Sequence, residues 1–175
     1  CDIWDLKTYA IPVHEQGLVV GYRLTGDKLY TTNAPRGHHA FLASWLVVIA
    51  QIVDSPQDIH RAKEERRFGA FVVDTHTRGC SCTRLSFMGV RGIYNGQVHL
   101  REVWVPVADR LGAEGEGLRR ALESLTVGRL TLPAACLGNL KQCLWLARLR
   151  AQQRKQYDRP IGEHTDIGAK IVLMA

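Results

Sequence analysis

The chain has 175 residues, a formal net charge of +6 and an apolar fraction of 46%, enough for one large domain or one domain and part of a second. No uncharged apolar run reaches about eighteen residues, and the opening carries Asp2, Asp5 and Lys7. Neither a membrane span nor a signal peptide is therefore expected. The chain starts at Cys1 and stops within an apolar helical pattern, which reads as a piece of something longer.

Up to about Pro106 the pattern is β. Gly17 to Leu24 and Lys28 to Thr32 flank Thr25-Gly26-Asp27, which reads as a hairpin connection. The stretch KLYTTNAPRGHH, Lys28 to His39, then poses a choice between a polar strand end and a surface that holds something flat and polar. A Val-, Ile- and Leu-rich run over 40–53 and a run from Phe68 to Asp74 bracket a charged loop, Lys63 to Arg67. From Gln97 to Val105, Val98 and Leu100 share one parity, and Val103 and Val105 share the other. That shift predicts a bulge at Arg101-Glu102. Short strands with Gly-rich turns and no helices between them predict an antiparallel barrel or sandwich.

After Pro106 the period becomes helical. GAEGEG, Gly112 to Gly117, lacks the strand-turn-helix order of a dinucleotide fingerprint and carries two acids, so it reads as a linker. Leu118 to Leu125 and about Arg129 to Gln156 read as two helices. The second carries a stripe at Leu130, Leu137, Leu140, Leu144 and Ala147, widened by Cys136, Cys143 and Leu146, with Pro133 about a turn inside it. Asp158-Arg159-Pro160 and Gly162 end it, and Ile167, Ile171 and Met174 begin another apolar face. The expected class is α+β: an antiparallel β-barrel or sandwich domain over 1–111, then the beginning of an up-down helical bundle over 112–175.

Five cysteines, an odd count without framework spacing, fit a reducing compartment, a bacterial cytoplasm or mitochondrial matrix, and not secretion. Cys80-x-Cys82 with His76 is too tightly spaced for structural zinc and reads as strand residues. Arg148, Arg150, Arg154, Lys155 and Arg159 concentrate positive charge and suggest an anionic partner. Without interleaved aromatics or a nucleic-acid motif, that partner is not expected to be DNA or RNA.

Four stretches in order resemble the acyl-CoA dehydrogenase superfamily. GYRLTGDKLYTTNA is similar to its strand-turn-strand ending in Trp-Ile-Thr-Asn. GVRGIYNGQVHLREVWVPVADRLGAEGEG is similar to its Gly-x-Arg segment, Val-Pro strand and Gly-rich link. VGRLTLPAACLGNLKQCLWLA resembles the start of its long helix, and RKQYDRPIGEHTDIGAKIVLMA its Arg-Lys-x-Phe-Gly-x-Pro signature and following helix.

The resemblance implies a flavoenzyme that uses FAD for α,β-dehydrogenation of an acyl-CoA thioester. Tyr30, Thr31 and Thr32 would border the isoalloxazine ring, with Tyr30 in the usual tryptophan position and the Thr32 hydroxyl near flavin N5. Arg154, Gln156, Tyr157, His164 and Thr165 would contact the FAD of a neighbouring subunit, Arg154 through the pyrophosphate. Arg154 and Tyr157, three apart, are expected on one helix face, with Arg150 a turn earlier. Thr126, Val127, Gly128 and Arg129 match the helix start that borders the substrate thioester. Gly128 stands where some members carry their catalytic glutamate, so no catalytic base is expected in this sequence. Cys1-Asp2 matches the Ser-Asp that closes a flavin loop, and His38 and His39 have no ligand role. Implied partners are an acyl-CoA, further copies in a homodimer or homotetramer, and an electron-transfer flavoprotein. The same fold also serves acyl-CoA oxidases, flavin monooxygenases and non-catalytic assembly relatives, and Tyr30, Asp158 and Cys1 depart from the common pattern.

Overall fold

A computed structural model of the protein describes residues 3–36, 40–89 and 91–175. Cys1, Asp2, His38 and His39 lie outside the described residues, so the expectations for them stand as stated. Two compact units divide the chain between Glu123 and Ser124.

The first unit is a six-stranded sheet. In chain order its strands are β1 Tyr9–Glu15, β2 Leu18–Thr32, β3 Trp45–Ile52, β4 Arg67–Asp74, β5 Cys80–Arg84 and β6 Asn95–Pro106. They lie side by side as β4-β3-β1-β2-β6-β5. Every pairing is antiparallel except β1 with β3, which run parallel. The α+β class is as expected, but of the barrel or sandwich expected for the β domain a closed barrel is not formed: β4 and β5 are two separate edges and the sheet stays open. The β4 edge is covered by the segment after β6, through a bridge from Phe71 to Arg110 and a bond from Leu111 N to Ala70 O at 2.8 Å. Covering an edge in this way blocks pairing with other chains.

The expected hairpin at Thr25-Gly26-Asp27 is also corrected. The turn lies earlier, at Gln16 and Gly17 between β1 and β2, where both residues have positive φ (50° and 82°). Two-residue hairpins need such angles because their twist matches the flanking strands. β2 runs unbroken through Gly26, whose missing side chain instead admits Thr8: a Cβ there would lie 2.7 Å from the Thr8 Cα.

The bulge at Arg101-Glu102 is present. Leu24 pairs with Val103 and Gly26 with Leu100, so one β2 residue opposes two on β6, and Glu102 has φ 53°. That extra residue reverses the alternation, so Val98, Leu100, Val103 and Val105 all face one core. Tyr22, Leu24, Phe71 and Val73 fill the same cluster, and the rings of Tyr22 and Phe71 stand 4.9 Å apart. Burying each such side chain stabilises the sheet by roughly 1.5–3 kcal/mol.

The helices also differ from the expected pair. A single α1 runs Gly117–Gln153, through Thr126–Gly128 and Pro133. Thr, Val and Gly weaken a helix by only about 1 kcal/mol or less each, too little to break a long hydrogen-bonded ladder. Ion pairs from Arg119 to Glu116 and Glu123, at 2.7 and 2.6 Å, support its first turns. Pro133 therefore lies deep inside the helix rather than near its start. In the second unit α1 is followed by a small hairpin, β7 Lys155–Gln156 with β8 Arg159–Pro160, and by α2 Thr165–Met174. The expected apolar stripe is on α1, but Leu130, Leu137 and Leu140 are exposed in this chain.

Candidate functional site

The end of β2 is shaped by a second bulge. Lys28 pairs with Val98 and Thr31 with Gly96, so Leu29 and Tyr30 oppose Gln97 alone. Tyr30 takes the left-handed conformation, φ 59°, and the residue is 62% exposed. Left-handed backbone is costly for a large side chain and marks a place where the surroundings dictate it. The Tyr30 ring meets Phe87 with centroids 5.9 Å apart.

One pair further on, Thr32 stands opposite Asn95. The Asn95 amide donates to Thr32 Oγ1 at 3.0 Å. Asn95 is buried, whereas Thr32 is exposed. The other amide atom, Asn95 Oδ1, is buried without a hydrogen-bond partner. Gly96 lets β5 come close enough to hold this corner, since a Cβ there would lie 2.3 Å from the Thr83 carbonyl oxygen. The strand end thus presents a flat ring, two threonines and a polar floor within one turn of chain.

Just before the end of β2, burial pushes the Lys28 ammonium down to about 8 while it donates to the Ile49 carbonyl at 2.6 Å. Asp27 accepts from His99 Nδ1 at 2.7 Å and from Arg101 at 3.0 Å, and these bonds, His99 first, hold its carboxyl below the usual range. This cross-strand polar stitch ties β2 to β6 just before the strand end. The sequence singled out Tyr30, Thr31 and Thr32 but not Asn95 or Phe87. Asn95 lies 63 positions from Thr32, and only the β2–β6 register brings them together.

In the second unit the structure gathers Arg154, Gln156, Tyr157, His164 and Thr165 around one hairpin. The expected shared helix face for Arg154 and Tyr157 is corrected: α1 ends at Gln153, and Tyr157 and Asp158 occupy the hairpin turn with φ 53° and 61°. The helix thus stops several residues before Asp158-Arg159-Pro160 and Gly162, which were expected to end it. Arg154 N still donates to the Arg150 carbonyl at 2.9 Å, and its own carbonyl accepts from Ile161 at 2.8 Å. His164 joins the two sides of the turn: Arg159 lies 3.2 Å from Nδ1, and the Gln156 carbonyl 3.2 Å from Nε2. The Tyr157 and His164 rings meet edge-on at 6.1 Å. Thr165 is the first residue of α2. Arg154, Gln156 and Tyr157 are all exposed, so their side chains are open to an anionic ligand. Thr126, Val127, Gly128 and Arg129 lie within α1 and not at a helix start, with Thr131 donating to the Gly128 carbonyl at 3.2 Å.

Residues 115–175 match the family described as acyl-CoA dehydrogenase, C-terminal domain. The probable acyl-CoA dehydrogenase FadE10 of Mycobacterium tuberculosis is 40% identical over 155 residues, 88% of this chain and 22% of the relative. Over most of its length the chain is similar to acyl-CoA dehydrogenases. An acyl-CoA dehydrogenase from Bacillus anthracis, solved in complex with FAD, superposes with a TM-score of 0.78 at 28% identity, over 97% of this chain and 26% of that one. The prolyl acyl carrier protein oxidase AnaB superposes with a TM-score of 0.82, also at 28% identity, over 99% of this chain and 41% of that one. The chain therefore spans about a fifth of FadE10 and less than half of either structure. Because the acyl-CoA dehydrogenase structures align over almost its whole length, the open sheet and long helix described above are the fold of that family.

Proposed function

We propose that this chain contributes the flavin-facing strand end and the cofactor-anchoring hairpin of an FAD-dependent acyl-CoA dehydrogenase. The division at 111/112 into a β domain and the opening of a helical bundle belongs to the same reading, and the exposed leucines of α1 are the face other bundle helices would cover. The observation that carries it is the end of β2. An exposed aromatic ring in a left-handed bulge, with a threonine hydroxyl resting on a buried amide whose oxygen has no partner, fits a flat, polar ring system.

Bound FAD supplies an acceptor, at flavin N5, for the β hydrogen leaving as hydride. The chain's own residues do the rest of what is assigned here. Tyr30 and Thr31 wall one side of the ring, and Thr32 offers a hydroxyl proton to it. Arg154 pairs a forked guanidinium with the pyrophosphate of a neighbouring subunit's cofactor, with Gln156, Tyr157, His164 and Thr165 beside it. Thr126 to Arg129 border the thioester end of the acyl-CoA. The α proton goes to a carboxylate outside these assignments, since Gly128 cannot accept it. A homodimer or homotetramer in a reducing compartment, passing electrons to an electron-transfer flavoprotein, completes the reading.

Anaerobic addition of an acyl-CoA to the flavin-loaded protein tests it: the flavin absorbance band should bleach. Retention of the full band with every chain length and branching offered would contradict dehydrogenation. The likeness to AnaB favours an oxidase as the second reading, and stoichiometric hydrogen peroxide in air would select it.

A further inference from the structure

The pairing of Thr32 with Asn95 determines more than the position of a hydroxyl. Thr32 Oγ1 accepts the Asn95 amide proton at 3.0 Å, and among the described residues it has no acceptor for its own proton. As placed, one amide N–H meets Thr32 Oγ1 and Oδ1 lacks a partner. Turned over, the oxygen would take the Thr32 proton and both N–H donors would be stranded where Asn95 keeps only 8% of its surface exposed. Either way two amide groups go unpaired, but an orphaned buried N–H is rarer than an orphaned C=O, which favours the orientation observed. The backbone allows little escape: Asn95 is fixed between Thr32 on β2 and Leu85, whose N–H donates to the Asn95 carbonyl at 2.9 Å.

We propose that Asn95 is a positioning residue that makes Thr32 an obligate donor to the ligand at the end of β2. With a lone pair of Oγ1 engaged from beneath, the hydroxyl proton is left to point outward, away from the sheet. The inference rests on the FAD reading, in which that proton meets the electron-accepting edge of the ring. A donor held there stabilises added electron density and raises the flavin's potential.

The test compares flavin midpoint potential and visible spectrum in the FAD-loaded parent, Asn95→Asp and Asn95→Leu, measured at about pH 8. Aspartate keeps the shape but accepts, so the Thr32 proton turns inward; leucine removes the donor and frees the hydroxyl. The expected result is a potential lowered by about 30 mV or more in Asn95→Asp, a tenfold shift in a two-electron equilibrium. Asn95→Leu should show a smaller fall, both variants should have a shifted visible band, and Asn95→Asp should have no further effect in a Thr32→Val background. Potentials and spectra equal to the parent's, or an undiminished shift in the Thr32→Val background, would overturn it. A parent that binds no FAD would instead remove the reading on which it rests, so the two failures are distinct. Should Asn95→Asp not fold, Asn95→Leu carries the same comparison with Thr32→Val.

Discussion

At the scale of single residues, chemistry is set by what lies beneath each side chain. Lys28 is the clearest titrating case. Its folded value, about 8, lies below the ordinary 10.5 because burial disfavours the charged form. Between those two values the unfolded chain still holds a proton that the folded chain has released, so stability rises with pH across that window. Cys80 acts with the opposite sign. Burial pushes its thiol from 9.0 up to about 11, so stability falls as pH rises through that range. The difference between parent and Lys28→Met isolates the lysine. The parent's unfolding free energy, read by urea denaturation, should gain over the variant's between about pH 8 and 10, by on the order of 2 kcal/mol. Parallel pH profiles would contradict it. Tyr30 and Thr32 could be singled out in the sequence because a recognisable motif carries them. Asn95 was not, because nothing next to it in the chain says which strand it will face.

At the scale of elements, signals that keep a core intact were the readable ones. The Arg101-Glu102 bulge showed in the parity of Val98, Leu100, Val103 and Val105, since all four must reach one interior. The bulge at Leu29 and Tyr30 left no such trace, because both side chains are exposed. Gly26 misled for a related reason: glycine marks close backbone approach as well as turns, and Thr8, distant in sequence, decided between them. The continuous α1 hides its apparent break because propensity penalties are small beside a long ladder. Gly96 supplies an element-scale prediction. A methyl group there would meet the Thr83 carbonyl oxygen and the Pro35 ring. Gly96→Ala should lower sheet stability by roughly 1–3 kcal/mol, read by chemical denaturation. It should also weaken FAD retention by shifting Thr32 off Asn95. A variant as stable as the parent would show that β5 and β6 can part freely at this point.

At the scale of the whole molecule, the α+β class followed from the change of period near Pro106, whereas the openness of the sheet did not. Closure depends on which strands become edges, and the parallel β1–β3 pairing that settles the order is invisible in local patterns. In the proposed function the net charge of +6 gains its meaning from placement, with exposed Arg154, Lys155 and Arg159 close together at one turn. Arg159→Ala should loosen that turn by removing the contact to His164, read as faster hydrogen exchange of the Ile161 amide. Unchanged exchange would count against His164 as the pin of the hairpin.

The most direct measurement is the FAD content of the purified protein that carries this sequence, quantified after release by denaturation, in the parent and in Arg154→Ala. Stoichiometric FAD is expected in the parent. Most of it should be lost from the variant, with the urea midpoint unchanged, because a charge-assisted contact is removed and no core packing. A colourless parent that takes up no added FAD, or a variant that retains as much as the parent, would contradict it.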